Sequence, residues 1–454
     1  MARAFYDIVV RNGFVVTDRG VLTADVAVRA GRVVEVAPRV MGSANEEFDA
    51  TGCHVVPGAI DAHVHFGVSI QGQESCDDHS SGTLAAICGG VTCCGDFTVQ
   101  EEETPQEAAR RRLDEMGEVY ADVFLHANVT KMPRDLERSL VELRALGVGS
   151  VKVFMAYQGM RLSDDEIVRL AEAASSQGMV VMVHAEDDRA VRESTARLLE
   201  RGARGAERFF DSRPVAAEVE AIRRLGSMSS ERELEFYVVH LSSISGLREA
   251  LEQRRRGARL VLETCPQYLR LARPTGREDS ALLSCAPPVR DEDSARQLEQ
   301  ALAAGHLDVL ATDHCPFTTA QKLQGIEDFT RLPGGLPGVE TLLPLTYDLV
   351  LRGRLSLERM VDCLASKPAR IFGLQRKGKI APGMDADLVV LDRAGSTVVS
   401  ASRLHSRTDY SPSEGLRLRG RVRFVFLRGR LVARERDGWA EPVGEPNGRF
   451  IEAA

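Results

Sequence analysis

The chain has 454 residues, room for up to about three domains at roughly 150 residues each, and its 44% hydrophobic and 27% charged residues exclude disorder as the main state. The net charge of -8, from 58 Lys+Arg against 66 Asp+Glu with no basic cluster interleaved with aromatics, argues against a nucleic-acid partner. No stretch reaches the roughly 18 apolar residues of a membrane span, and MARAFYDIVVRNG lacks an uninterrupted apolar leader segment, so a soluble cytoplasmic protein is expected.

The N-terminal residues read as short β-type runs, Asp7 to Val10 and Phe14 to Val16, punctuated by the turn signals Asn12-Gly13 and Arg29-Ala30-Gly31. The same texture returns at the other end, in Ala386 to Leu391, Val422 to Leu427 and Leu431 to Ala433. Residues 1–54 and 375–454 are therefore expected to form one discontinuous β-sandwich domain around a catalytic domain of residues 55–374.

In the middle, eight apolar runs alternate with helical patterns: Val55 to Ile60, Val91 to Phe97, Ala121 to Leu125, Ser150 to Phe154, Met179 to Val183, Phe236 to Val239, Arg259 to Leu262 and Leu307 to Ala311. The helix read over Ser163 to Gln177 opens on a capping box, Ser163 with Glu166, whose side chains satisfy each other's free backbone N–H. Eight βα units predict an α/β fold, a TIM barrel, with functional side chains at the C-terminal strand ends. The nine cysteines include no C-x-x-C, and several sit inside apolar runs as buried thiols do, so all are expected to be reduced.

The polar residues that stand where these runs stop form a metal-ligand set. His63 and His65 lie two apart after the first run, so in extended backbone both imidazoles reach one side. His184, His240 and Asp313 end the fifth, sixth and eighth runs, and Lys152 lies in the fourth. Singly, a strand-end histidine is more often a satisfied structural residue. Jointly, four His, one Asp and one Lys at one barrel mouth are too costly to bury unless paired or bound to metal. A protonated Lys152 would be repelled by cations. A neutral lysine can instead take up carbon dioxide as a carbamate able to bridge two metals, the alternative being a lysine that snorkels or pairs with an acid.

With these residues the chain resembles the dihydropyrimidinase and D-hydantoinase group of cyclic amidohydrolases. The carriers are Val56-Pro57-Gly58-Ala59-Ile60-Asp61-Ala62-His63-Val64-His65, Lys152-Val153-Phe154-Met155-Ala156-Tyr157, Val183-His184-Ala185-Glu186, Val239-His240-Leu241-Ser242, Glu263-Thr264-Cys265-Pro266-Gln267-Tyr268-Leu269 and Ala311-Thr312-Asp313-His314-Cys315-Pro316-Phe317. The resemblance implies hydrolysis of a small cyclic amide by two zinc ions bridged by carboxylated Lys152 and a hydroxide. It places His63, His65 and Asp313 on one metal and His184 and His240 on the other. It further implies Asp313 as the proton shuttle, Tyr157 as the group that hydrogen-bonds the substrate oxygen, and a homotetramer. The apolar stripe of Val339, Leu342, Leu343 and Leu345 to Leu349 offers surface for such assembly, or is an ordinary core helix.

Two positions depart from the group. Ala286 stands where a serine precedes Pro-Pro, and Gly334 replaces the asparagine of the Asn-Gly-Leu-Pro-Gly loop. Both resemble positions that read the cyclic amide through backbone groups, so binding is expected to survive. Gly67, where dihydroorotases carry an arginine, disfavours that activity. Allantoinase is the nearer alternative, and a non-catalytic scaffold is disfavoured by retention of all six ligands. The segments Phe66 to Gln71 and Tyr157 to Met160 carry little charge and are expected to wall the pocket. His126 and His314 are expected to orient ligands.

Overall fold

The two chain ends meet in a single nine-stranded sheet. Its order runs Trp439–Pro442, Arg430–Arg436, Arg417–Leu427, Leu388–Val398, Cys53–Pro57, Phe5–Thr17, Gly20–Arg29, Arg32–Ala37, with Ser43–Asp49 pairing off Phe5–Thr17. The seam between the ends is the antiparallel pair of Leu388–Val398 with Cys53–Pro57. This computed structural model describes residues 5–453; residues 1–4 of the N-terminal segment, and residue 454, lie outside the described residues.

The turn expected at Asn12-Gly13 is a bulge inside one continuous strand, where the register shifts between Val10 and Gly13 and Asn12 takes a φ of 62°. Arg29-Ala30-Gly31 does turn the chain, with Ala30 and Gly31 both left-handed between paired Arg29 and Arg32.

The eight parallel strands of the barrel are Ala59–Val64, Val91–Phe97, Asp122–Asn128, Ser150–Phe154, Val180–His184, Glu235–Val238, Arg259–Thr264 and Val309–Leu310, each paired with the next. A bridge from Val64 to His314 brings the last strand region to the first. Buried Asp61 reinforces that junction by accepting from the Thr312 backbone N–H (2.9 Å) and hydroxyl (2.5 Å). The run read as one strand from Val55 to Ile60 is two strands in different sheets. Gly58 is the break: a Cβ there would sit 2.0 Å from the Thr92 hydroxyl oxygen, so only glycine lets the chain leave one sheet and enter the other.

The capping box of Ser163 and Glu166 opens the helix Asp164–Ser176 as expected. All nine cysteines are free. The helix Leu342–Leu351 is packed inside the chain, with Leu342, Leu343 and Leu349 at most 2% exposed, so the apolar stripe is core and offers no surface for assembly. A buried ionic knot ties the two parts together. Lys377 lies 2.5 Å from both Asp122 of the barrel and Asp387, which immediately precedes the strand Leu388–Val398, and Arg428 also pairs with Asp122.

Candidate active site

The C-terminal ends of the barrel strands bring the expected residues together. His63 and His65 face each other at 3.2 Å between Nε2 atoms, and Asp313 Oδ1 lies 3.2 Å from each. His184 Nδ1 lies 3.0 Å from His240 Nε2, and the His63 and His240 rings are 5.5 Å apart. Burial holds the His63, His184 and His240 imidazoles below the ordinary histidine range, so they are neutral and their lone pairs are free for a cation. Asp313 stays below the ordinary carboxylate range although burial opposes this, because His63, His65 and Lys152 surround it.

Carboxylates behind the rings set their orientation. Glu263, fully buried, accepts from His63 Nδ1 (2.8 Å), from the Tyr237 hydroxyl (2.7 Å) and from the His240 backbone N–H (2.9 Å). Glu186 accepts from His184 Nε2 at 2.9 Å. Each carboxylate fixes the hydrogen on the far nitrogen and turns the other nitrogen inward. Backbone strain marks the same place: Tyr157, His240 and Asp313 are non-glycine residues with φ of 78°, 39° and 54°.

Lys152 projects among these groups, its Nζ 5.2 Å from the centre of the Phe97 ring and 5.5 Å from that of Phe154. Among the described residues no carboxylate pairs with it, which leaves the acid-paired alternative without a partner. Burial pulls its ammonium below the ordinary lysine range against the pull of Glu263 and Asp313. The donor sets fit a pair of divalent metals unequally. His63, His65 and Asp313 offer three ligand atoms within 4.8 Å of one another, whereas His184 and His240 offer two.

Tyr157 stands beside the second histidine pair, its ring 4.9 Å from that of His184. Arg213 donates to its hydroxyl oxygen (3.2 Å) and to Glu186 (2.7 Å). Burial raises the Tyr157 phenol although Arg213 opposes the shift, so its proton stays available for donation. Ala286 and Gly334 are neighbours: a Cβ on Gly334 would lie 3.5 Å from that of Ala286.

Sequence reasoning overlooked Glu263, Glu186 and Arg213. Both glutamates stand in strand-end motifs, where that signal could have found them. Arg213 comes from a loop between helices, where no strand-end rule applies, and it puts a charge beside a wall read as uncharged. Phe66 turns away into the core against His79 and His314. His314 bonds Asp77 at 3.1 Å and its carbonyl accepts from the His65 N–H. His126 reaches Ala62 O (3.0 Å) and Ser150, and among the described residues no hydrogen bond joins it to a ligand side chain, so its bonds brace strands.

A second grouping, Cys88, Glu340 and His405, is already satisfied, since Glu340 accepts from both His405 and the Trp439 indole. A surface cavity of about 570 Å³ lined by Glu47, Phe48, Arg423 and Phe424 belongs to the strand domain and holds none of the site residues. Among the described residues no helix is long and apolar enough to cross a membrane.

Residues 54–432 match the amidohydrolase family. The chain is 35% identical over 445 residues to a D-hydantoinase of Streptomyces coelicolor, covering 94% of this chain and 95% of that one. It is 34% identical to a D-phenylhydantoinase of Escherichia coli, with 94% of each covered. The solved D-hydantoinase (dihydropyrimidinase) of a Thermus species superposes with a TM-score of 0.93 at 32% identity, covering 98% of this chain and 99% of that one. By sequence, barrel architecture and arrangement of the strand-end histidines, the chain belongs to the amidohydrolase family, within its dihydropyrimidinase and D-hydantoinase group.

Proposed function

We propose that this chain is a zinc-dependent cyclic amidohydrolase that opens 5-substituted hydantoins and dihydropyrimidines to N-carbamoyl amino acids. The observation that carries this reading is the barrel mouth itself, with imidazoles in two facing pairs, one carboxylate beside them, and a buried lysine that among the described residues has no carboxylate within ion-pair distance. His63, His65 and Asp313 would hold one zinc ion and His184 and His240 the other, with carboxylated Lys152 between them. The carbamate forms when the Nζ lone pair adds to carbon dioxide and a proton leaves, which needs the unprotonated amine that burial favours.

When bound, the metal pair supplies Lewis acidity and an acidified water. Asp313 takes the proton of the attacking water and delivers it to the ring nitrogen as the acyl C–N bond breaks, leaving a carboxylate and a carbamoyl nitrogen. Tyr157 donates to the carbonyl oxygen as it gains charge, an interaction typically worth about 2.7 to 4 kcal/mol. Arg213 leaves the phenol free to do so, because it occupies the oxygen as a donor and not the hydrogen. Backbone groups at Ala286 and Gly334 would read the cyclic amide.

The test is a parallel comparison of kcat/KM for phenylhydantoin, dihydrouracil, allantoin and dihydroorotate with the zinc-loaded enzyme. Phenylhydantoin and dihydrouracil should lead, since the segment Tyr157 to Met160 carries no charge and apolar area gains about 25 cal/mol per Å² on burial. Allantoin in first place would favour the allantoinase alternative, and no turnover of any ring would favour a non-catalytic scaffold.

We also place the enzyme in the cytoplasm, where nine free thiols stay reduced, and infer a homotetramer. Support for assembly comes from the family resemblance alone, now that the Leu342–Leu351 helix is core. Light scattering at micromolar concentration should give the tetramer mass; a monomer would contradict it.

A further inference from the structure

Lys322 is a fully buried lysine outside the metal centre, and among the described residues no carboxylate lies within ion-pair distance of it. Its Nζ donates to Ser284 O (2.7 Å), Ser284 Oγ (3.0 Å) and Pro333 O (2.9 Å). Burial pulls the ammonium down to about 7, and only the Cys285 and Cys315 thiols act to raise it. The two carbonyls can only accept, and the Ser284 hydroxyl hydrogen is directed at Ala281 O (2.8 Å) or Pro333 O (3.1 Å), so the three Lys322 contacts use Lys322 hydrogens.

What the three bonds hold is specific. Ser284 lies two residues before Ala286 and Pro333 one residue before Gly334, and the Gly335 N–H donates to Ser284 O at 3.0 Å. Ser284 and Pro333 are buried while Ala286 and Gly334 remain partly exposed, so the ammonium fastens the inner ends of two segments whose outer ends meet. The short helix carrying Lys322, Thr319–Leu323, is itself fixed from the C-terminal segment, where the Thr319 N–H donates to Asp409. The Tyr410 hydroxyl from the same segment donates to Leu282 O (2.9 Å), close to the first of the two loops.

We propose that Lys322 is a positioning residue for substrate: its three hydrogen bonds set the spacing of the Ala286 and Gly334 loops and thereby the affinity for the cyclic amide. This rests on the reading of those two positions as the backbone partners of the ring. A neutral isostere at 322 removes the one group that bonds both segments: Ser284 O keeps only the Gly335 N–H (3.0 Å) and Pro333 O only the Ser284 hydroxyl (3.1 Å), so each buried carbonyl loses a donor and the link from the Lys322 helix is gone. Metal ligation and proton transfer, both on other strand ends, are untouched.

The experiment compares wild type with Lys322→Met and Lys322→Gln as full-length zinc-loaded enzymes, using phenylhydantoin and dihydrouracil as probes. It measures kcat, KM, zinc content, melting temperature and calorimetric affinity for the ring-opened phenylhydantoin product. Expected are a KM raised roughly tenfold or more by Lys322→Met, kcat within about threefold of wild type and partial recovery in Lys322→Gln, whose amide restores two of the hydrogens. Zinc content should be unchanged, and product affinity should weaken in step with KM.

Should Lys322→Met not accumulate as folded protein, Lys322→Gln and Ser284→Ala carry the same comparison. An unaltered KM and product affinity, with any loss confined to kcat, zinc content or melting temperature, overturns the proposal while leaving the enzyme assignment standing. A wild type that opens neither probe refutes the assignment and this proposal with it.

Discussion

Asp313→Asn should retain an oxygen ligand yet lose about 10²–10⁴-fold in kcat, the range for removing a positioned acid-base group. Asp313 is the one carboxylate among the facing donors, 3.2 Å from both His63 and His65, and more open to solvent than His63. An amide of the same shape cannot carry a proton from water to the leaving nitrogen. The check is kcat measured at known metal occupancy, since a variant that also loses zinc would conflate two effects. Wild-type turnover at full occupancy would remove Asp313 from proton transfer.

Lys152→Ala should be more damaging still, because in the proposed centre it would take a ligand from both metals. The two imidazoles of His184 and His240 would then be left as a pair, short of the three protein ligands a catalytic zinc site needs. We expect elemental analysis to show loss of zinc and activity to fall to background, with short carboxylic acids restoring part of both by standing in for the carbamate. Lys152→Arg should be equally inactive, since a guanidinium stays cationic and does not take up carbon dioxide. An electron-density map with an unmodified Lys152 beside two occupied metals would overturn the carbamate.

The barrel was legible where its signals are local. The strands Val91–Phe97 and Ser150–Phe154 have the bounds that hydrophobic runs alone assign, and the Ser163 capping box opens its helix as expected. The reading failed where contacts from distant chain decide. Hydrophobicity runs unbroken through Gly58, and the switch of sheet there comes from the close approach of Thr92, thirty-four residues on. The stripe around Leu342 is apolar whether it faces a partner or the same chain's core, and burial alone separates the two.

The site follows the same division. Strand ends gave His63, His65, Lys152, His184, His240 and Asp313 because a parallel barrel converges them on one mouth. The groups that orient them come from far along the chain. Glu263 meets His63 across 200 residues and Arg213 meets Tyr157 across 56, pairings that no local pattern encodes. Ala286 and Gly334, two departures that look unrelated in sequence, turn out to be neighbours, and Lys322 bonds Ser284 and Pro333 in the segments that carry them.

The most direct test of a two-metal ring-opening enzyme is a zinc titration of chelator-stripped protein, followed by the yield of N-carbamoyl product from phenylhydantoin. Product should be absent without metal and should rise to a plateau at about two zinc ions per chain, the count expected of a two-metal site. Product formed at the same rate in stripped protein, or none at any zinc level, would contradict the account.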